Sequence, residues 1–465
     1  MHDLRHITSI NDLSLDEIET VFSRAQSYLR ELGDPNVPHR IGRSITDAQG
    51  SILATLFYEP STRTRLSFET AMLRLGGKSI SSADPATSSA AKGESLADTV
   101  RVASNYADVL VIRHPRDGAA KLAASYASVP VINGGDGAHE HPTQTLCDLF
   151  TLLQEGKKLQ HLNVAISGDL KGSRTIHSFV YALARFGANI LMMPAKGMEL
   201  PSHVDWRLRN ELNSYIVPRA RYEKDNSSVD ALYMTADKPH QLSLIADANL
   251  KVRKNIDAMY VTRFQKERWT DKAQDYPTVD QRFLRDKRYS KTSVLHPLPR
   301  VGELDIALDS DRRAAYFRQA AFGVPIRMAL IASLLGFCAD HGLKRYPGGF
   351  RPDDHPIYDQ PNGLGIDCAN KNCIVHDPQE GKYTRNRFYI IGERRLRCFY
   401  CETDVVDFVV ANKRTKHYES DTRVLRLAAG HDTVIFSDAA GAEAAGFSLP
   451  KRRRKAARVA VSKFA

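Results

Sequence analysis

The first three hundred residues repeat one pattern: a short apolar run, a polar turn, then a longer stretch with helical spacing. The apolar runs fall at residues 51–57, 107–112, 129–133, 162–168, 189–193, 231–234, 258–261 and 293–295. Helical spacing follows most of them, as at residues 66–72, 143–155 and 175–186, and a further helix is read at 16–32. Alternation of this kind builds parallel sheets whose crossovers are helices. It predicts two α/β domains, the second beginning where the pattern restarts near Leu162. Ligands of such sheets bind beyond the carboxyl ends of the strands, so the turns that follow the runs are where chemistry is expected.

Those turns are unusual. Residues 57–65 read Phe-Tyr-Glu-Pro-Ser-Thr-Arg-Thr-Arg. Strand, turn and helix would place Ser61, Thr62, Arg63 and Thr64 at a helix N-terminus, where backbone N–H groups lack partners and the dipole favours an anion. Ser and Thr are also ordinary N-caps, so this turn alone leaves both readings open. Later turns carry Arg113, then His141-Pro142-Thr143-Gln144, then Arg174, Arg263 and Arg300. One surface arginine is usually just solvated or in a weak ion pair. Five after strands suggest a small, highly anionic substrate pair gripped bidentately. No activated Ser or Cys nucleophile motif and no catalytic metal cluster accompanies them, which favours catalysis by positioning and charge stabilisation. Gly168 and Gly172 lack the dinucleotide-binding spacing. The polar, small-residue stretch 79–93 reads as a flexible loop able to close over a ligand.

Of the net charge of +11, seven charges come from Lys and Arg in residues 451–465, leaving only +4 on the rest. The basic tail therefore reads as a solvated extension, and nucleic acid is not expected as a partner. No basic n-region or membrane span is evident, and a cytoplasmic protein is expected. Cys147 and Cys338 lie in apolar helical patterns and read as buried bystanders. A Pro-, Gly- and Asp-rich stretch, residues 340–366, reads as a linker. Beyond it, Cys368 and Cys373, then Cys398 and Cys401, form two close pairs around a β-rich segment. That spacing fits a structural Zn2+ held by four thiolates, with disulfides as the alternative.

The motifs together carry a resemblance. Residues 57–65, Arg113-His-Pro115, His141-Pro-Thr-Gln144, Gly168-Asp-Leu-Lys171, Arg174-Thr-Ile-His177, Thr262-Arg-Phe-Gln-Lys-Glu267 and His296-Pro-Leu-Pro-Arg300 resemble, in order and spacing, the catalytic chain of the aspartate carbamoyltransferase family. Residues 366–412 resemble the zinc domain of that family's regulatory chain. The resemblance implies a carbamoyl phosphate-binding domain at 1–142, joined by a helix at about 320–338. It further implies an aspartate-binding domain at 143–305, a zinc-binding domain at 367–413, and an extension at 414–465.

It implies transfer of a carbamoyl group from carbamoyl phosphate to L-aspartate in pyrimidine biosynthesis. Ser61, Thr62, Arg63 and Thr64 would hold phosphate; Thr64, Arg113 and His141 would donate to the carbamoyl oxygen. Gln144 and the backbone of Pro297 and Leu298 would take the carbamoyl amide. Arg174, Arg263 and Gln265 would bind aspartate. Ser88 and Lys92 match loop residues that reach a neighbouring subunit's site, which implies a homotrimer with shared active sites, two trimers being able to join through zinc domains. Residues 340–367 are too few for the family's nucleotide-binding regulatory domain, so no ATP or CTP response through it is expected. Ornithine as acceptor is the alternative reaction. A binding protein acting through the zinc domain and basic tail is the alternative class.

Overall fold

The structure, a computed structural model, describes residues 4–33, 45–82, 89–212, 216–217, 230–234, 256–263, 278–336, 355–360, 365–391, 394–419 and 432–450. Ser88, Gln265, Cys338 and the basic tail lie outside the described residues.

Two parallel sheets form the catalytic-chain half. The first comprises β1 (Ile52–Phe57), β2 (Lys78–Ser82), β3 (Val109–His114) and β4 (Val131–Asp136), in the order β2-β1-β3-β4. The second has the order β10-β9-β8-β5-β6-β7. Its strands are β5 (Asn163–Gly168), β6 (Asn189–Pro194), β7 (Ile216–Val217), β8 (Ala231–Met234), β9 (Ala258–Val261) and β10 (Ser293–Leu295). β1, β3 and β5 are buried along nearly their whole length, as strands covered on both faces by helices must be.

The helices are α1 (Leu15–Leu32), α2 (Thr62–Arg74), α3 (Leu96–Ala103), α4 (Ala119–Tyr126), α5 (Pro142–Gln154), α6 (Arg174–Arg185), α7 (Ser202–Asn210) and α8 (Tyr316–Leu334). In α1, Ile18, Val21, Phe22 and Ala25 form the buried stripe, and Ser14 and Glu17 close a capping box. α8 follows β10 in sequence yet packs on α1, α2 and α5, so the chain returns to its first domain.

One expectation fails in this half. Residues 78–82, at the start of the presumed flexible loop, form the edge strand β2, paired in parallel with β1. An edge strand tolerates polar residues because one side faces water, and four of these five are exposed.

The C-terminal part is antiparallel. β11 (Ile357–Gln360), β12 (Asn386–Ile391), β13 (Arg395–Cys398) and β14 (Asp404–Val405) form one sheet. β11 thus falls inside the stretch read as linker, its residues alternating exposed and buried as it pairs with β12. β15 (Val409–Asn412), β16 (His417–Glu419) and β17 (Thr433–Phe436) form a second sheet, with α9 (Ala439–Ala444) against it. Residues 414–419 and 432–450 therefore continue the fold: Val409, Ala411, Tyr418, Val434, Phe436 and Phe447 share a small core.

This C-terminal part packs on the first domain. Ile366, Ile374, Phe388 and Leu396 share a buried cluster with Leu96, Val100, Leu110 and Leu122. Asn370 and Asn372 donate to the two oxygens of Asp117 at 2.7 and 2.8 Å. The backbones meet at Gly118, which has φ of 82°, and a Cβ there would lie 2.6 Å from the Tyr400 carbonyl carbon. Only glycine allows both that backbone and that approach. Among the described residues, no helix is long and apolar enough to cross a membrane.

Candidate active site and metal centre

A cavity of about 530 Å³ lies where the carboxyl ends of both parallel sheets face each other. The turn after β1 supplies Glu59 and Ser61–Thr64, β3 ends in Arg113, and the turn after β4 supplies His141. From the second domain come Arg174 after β5, Arg263 after β9 and residues 296–299 after β10. Three helices begin at this cavity: α2 at Ser61, α5 at His141 and α6 at Ser173. None has a side-chain cap. Their first amides and positive dipole ends make the cavity a place for anions.

Its charges are arranged in advance. Glu59 joins the domains by accepting from Arg113 Nη2 at 2.9 Å and from Arg174 Nη1 and Nη2 at 3.0 Å each. Burial works to raise the Glu59 carboxyl, but Arg174 and Arg113 outweigh it and hold it below the ordinary value. Gly134 O and Gly137 O accept from the same two arginines at 3.0 and 2.9 Å, fixing their other edges. Burial pushes the Arg113 guanidinium down to about 9, with Arg174 adding to the fall.

His141 is buried, and its Nδ1 has no hydrogen-bond partner among the described residues. Desolvation, then Arg113, Arg174 and Arg327, hold its imidazole well below the ordinary histidine range. It is therefore neutral near pH 7 and can donate one N–H without carrying charge. Gln144 gives its amide N–H to Asp148 at 2.7 Å, which leaves its carbonyl oxygen as the acceptor it offers to a ligand.

The 296–299 turn is set by His296. Its Nδ1 accepts from Leu298 N at 2.8 Å, so the proton sits on Nε2, which donates to Glu303 at 2.6 Å. Arg63 Nη2 donates to Leu298 O at 2.8 Å, spanning the two domains. A ligand amide seeking that carbonyl would share it with Arg63.

Ser61, Thr62, Arg63, Thr64, Arg113, His141, Gln144, Arg174, Arg263, Pro297 and Leu298 all line the cavity. Lys92 is exposed and is not among the lining residues. Arg300 does not join them either. Asp309 Oδ2 accepts from its Nη2 at 2.6 Å, and its guanidinium lies over Tyr316 and Phe317; the acid that holds it stands nine residues on, outside the His-Pro-Leu-Pro-Arg motif, and gives no local signal.

The sequence reading missed Arg327 and Glu59. Arg327 is buried in α8, donates to Ser67 Oγ at 3.1 Å and lies 4.9 Å from the Phe68 ring centroid. A guanidinium inside an otherwise apolar helix was the available signal, since a buried charge demands a partner or a ligand.

Cys368, Cys373, Cys398 and Cys401 are buried, unoxidised and gathered with their sulfurs within 4.8 Å of one another. The Cys368–Cys401 and Cys373–Cys398 sulfurs are 3.5 and 3.9 Å apart. Four thiolates around a tetrahedral ion with bonds of about 2.3 Å would stand about 3.8 Å apart. The donor set and spacing fit a closed, structural metal site.

Comparison with known proteins matches the chain in three stretches. Residues 5–154 match the carbamoyl-P binding domain of the aspartate/ornithine carbamoyltransferases, and residues 160–334 match their Asp/Orn binding domain. Residues 360–409 match the metal binding domain of the aspartate carbamoyltransferase regulatory chain. The aspartate carbamoyltransferase catalytic subunit of Clostridium kluyveri is 41% identical over 339 residues, covering 71% of this chain and 98% of that protein. The one from Picrophilus torridus is 42% identical over 335 residues, with the same coverage.

Among solved structures, the M. jannaschii aspartate transcarbamoylase catalytic subunit is 39% identical with a TM-score of 0.56, covering 71% of this chain and 98% of its own. The Trypanosoma cruzi enzyme in complex with aspartate and phosphate is 34% identical with a TM-score of 0.57, covering 70% and 94%. By these matches the chain belongs to the aspartate/ornithine carbamoyltransferase family, among its aspartate carbamoyltransferases.

Proposed function

We propose that this protein transfers the carbamoyl group of carbamoyl phosphate to the amine of L-aspartate, giving N-carbamoyl-L-aspartate and phosphate for pyrimidine synthesis. The observation that carries this reading is the convergence of three open helix starts and arginines from both domains on one cavity. That surface suits a phosphate and a dicarboxylate side by side.

In this reading the amides and hydroxyls of Ser61, Thr62 and Thr64, with Arg63, hold the phosphate. Thr64, Arg113 and neutral His141 donate to the carbamoyl oxygen as the amine attacks and negative charge gathers there. The Gln144 carbonyl and the backbone of Pro297 and Leu298 take the carbamoyl amide. Arg174, Arg263 and Gln265 take the aspartate carboxylates, with aspartate competing against Glu59 for Arg174. The C–N bond forms, the C–O bond to phosphate breaks, and the leaving phosphate accepts the amine's proton. His141, held neutral among cations, is a hydrogen-bond donor rather than the base.

Lys92 is exposed and stands apart from its own chain's cavity, which supports a role for it and Ser88 in a second copy's site. Leu73, Val102 and Tyr106, exposed apolar residues on and just after α2 and α3, support a subunit contact there and so a homotrimer. The four-thiolate chemistry favours one structural Zn2+ per chain. Its domain, fused here to the catalytic part, could join two trimers.

The test is phosphate release from carbamoyl phosphate with L-aspartate or with L-ornithine as acceptor. Release with aspartate alone is the expected result. Release with ornithine, or with neither, would refute the assignment.

A further inference from the structure

Glu402 follows the metal-site residue Cys401 with its backbone in the left-handed region, φ 59°. Its amide donates to Cys398 O at 3.1 Å, so the metal loop itself sets where Glu402 stands. Its carboxylate leaves the C-terminal module and reaches two places at once. One is Arg207 on α7, in the second domain, whose Nη1 donates to Glu402 Oε2. The other is the turn between β4 and α5, where a His139 nitrogen, a Glu140 oxygen and a Glu402 oxygen lie within 4.8 Å of one another.

That turn carries the active site. Gly134 O and Gly137 O fix Arg113 and Arg174, and His141 follows Glu140 directly. Glu140 accepts from Ser178 Oγ at 2.8 Å, and Ser178 Oγ accepts from the His141 amide at 2.9 Å. His139 Nδ1 donates to Asp136 Oδ2 at 3.1 Å, while its Nε2 is buried with no hydrogen-bond partner among the described residues. A second metal ion is a poor reading of this cluster, because the Arg207 guanidinium already neutralises Glu402 and would repel a cation. Arg207 and Arg397 both donate to Glu211, at 2.9 and 2.7 Å, which extends the link between α7 and the module.

We infer that Glu402 is a positioning residue for carbamoyl transfer: it holds the β4–α5 turn and α7 in one posture. The metal-bearing module thereby sets how the two catalytic domains face each other. This rests on the function proposed above. Carbamoyl phosphate is held chiefly by first-domain groups, whereas aspartate needs Arg174 and Arg263 from the second. Loosening Glu402 therefore weakens aspartate far more than carbamoyl phosphate.

The experiment compares the full chain with Glu402→Gln, Arg207→Gln and the double variant, measuring both KM values, kcat, bound zinc and melting temperature. Parent turnover with aspartate checks the underlying reaction separately. For Glu402→Gln with parent zinc content, the aspartate KM is expected to rise about tenfold while the carbamoyl phosphate KM stays within about twofold. The double variant should be no worse than the poorer single one, as for two residues acting through one contact. An unchanged aspartate KM, equal weakening of both substrates, or strictly additive effects would overturn the inference. If Arg207→Gln does not fold, His139→Gln takes its place in the cycle and is read the same way.

Discussion

Two kinds of serine begin helices in this molecule. Ser14 and Ser95 cap α1 and α3 in the usual way, their hydroxyls accepting from Glu17 N at 3.1 Å and Asp98 N at 3.0 Å. Ser61 and Ser173 stand at the same position of α2 and α6 and cap nothing. Their backbones explain the difference. The capping pair have ψ of 170° and 155°, the other pair 90° and 92°; the rotation carries the first-turn amides out of reach of the hydroxyl. α4, α7 and α8 also lack side-chain caps, but they begin at Gly118, Pro201 and Ala315, whose side chains have no acceptor to offer. A Ser cap contributes about 1 kcal/mol. Among the described α-helices that begin at a serine, the cap is absent where the first amides face the cavity, which is what an anion site requires and a scaffold does not.

The largest expected effect comes from removing the cation among the open starts. Arg63→Ala should lower kcat/KM by about 10²–10³, as for a donor to developing charge, with the melting temperature close to the parent. A fall of less than about tenfold would mean that the α2 start is open for some other reason.

Gly118→Ala should act the opposite way. With positive φ and a Cβ driven against Tyr400, it should cost about 2 kcal/mol or more, seen as a lowered melting temperature and earlier loss of metal to a chelator. Unchanged melting would show that the module does not dock there.

Chelation of the parent should itself lower melting and reduce particle mass, because metal binding and folding of such a domain are coupled. Mass retained after complete metal removal would argue against the module as an assembly joint.

The smallest effect concerns pH. A lowered His141 pKa means protonation only at acidity beyond the ordinary histidine range, so neutral His141 persists through it. The kcat profile should show no limb near about 6.5 that disappears in His141→Ala. Such a limb would restore His141 as a base.

Much of this was legible in the sequence because it is local. The strand–turn–helix passage at 57–65, the His-Pro-Thr-Gln turn and the spacing of the two cysteine pairs each announce their chemistry within a few residues. What was not legible depends on partners far along the chain. Glu59 gains its role only when Arg113 and Arg174 meet it. Arg327 gains its role only when α8 folds back over α2. Arg300 looked like its neighbours until Asp309 claimed it. β11 and the sheet β15–β17 escaped notice because short strands in Pro-, Gly- and Ala-rich sequence are specified by pairing more than by their own residues.

The most direct test measures kcat/KM and unfolding free energy together for Ser61→Ala and Ser14→Ala. Ser61→Ala should lose activity by about tenfold or more and keep its stability, while Ser14→Ala should lose about 1 kcal/mol of stability and keep its activity. If both variants lose stability alone, the helix starts at the cavity are ordinary caps and the anion site is not where this account places it.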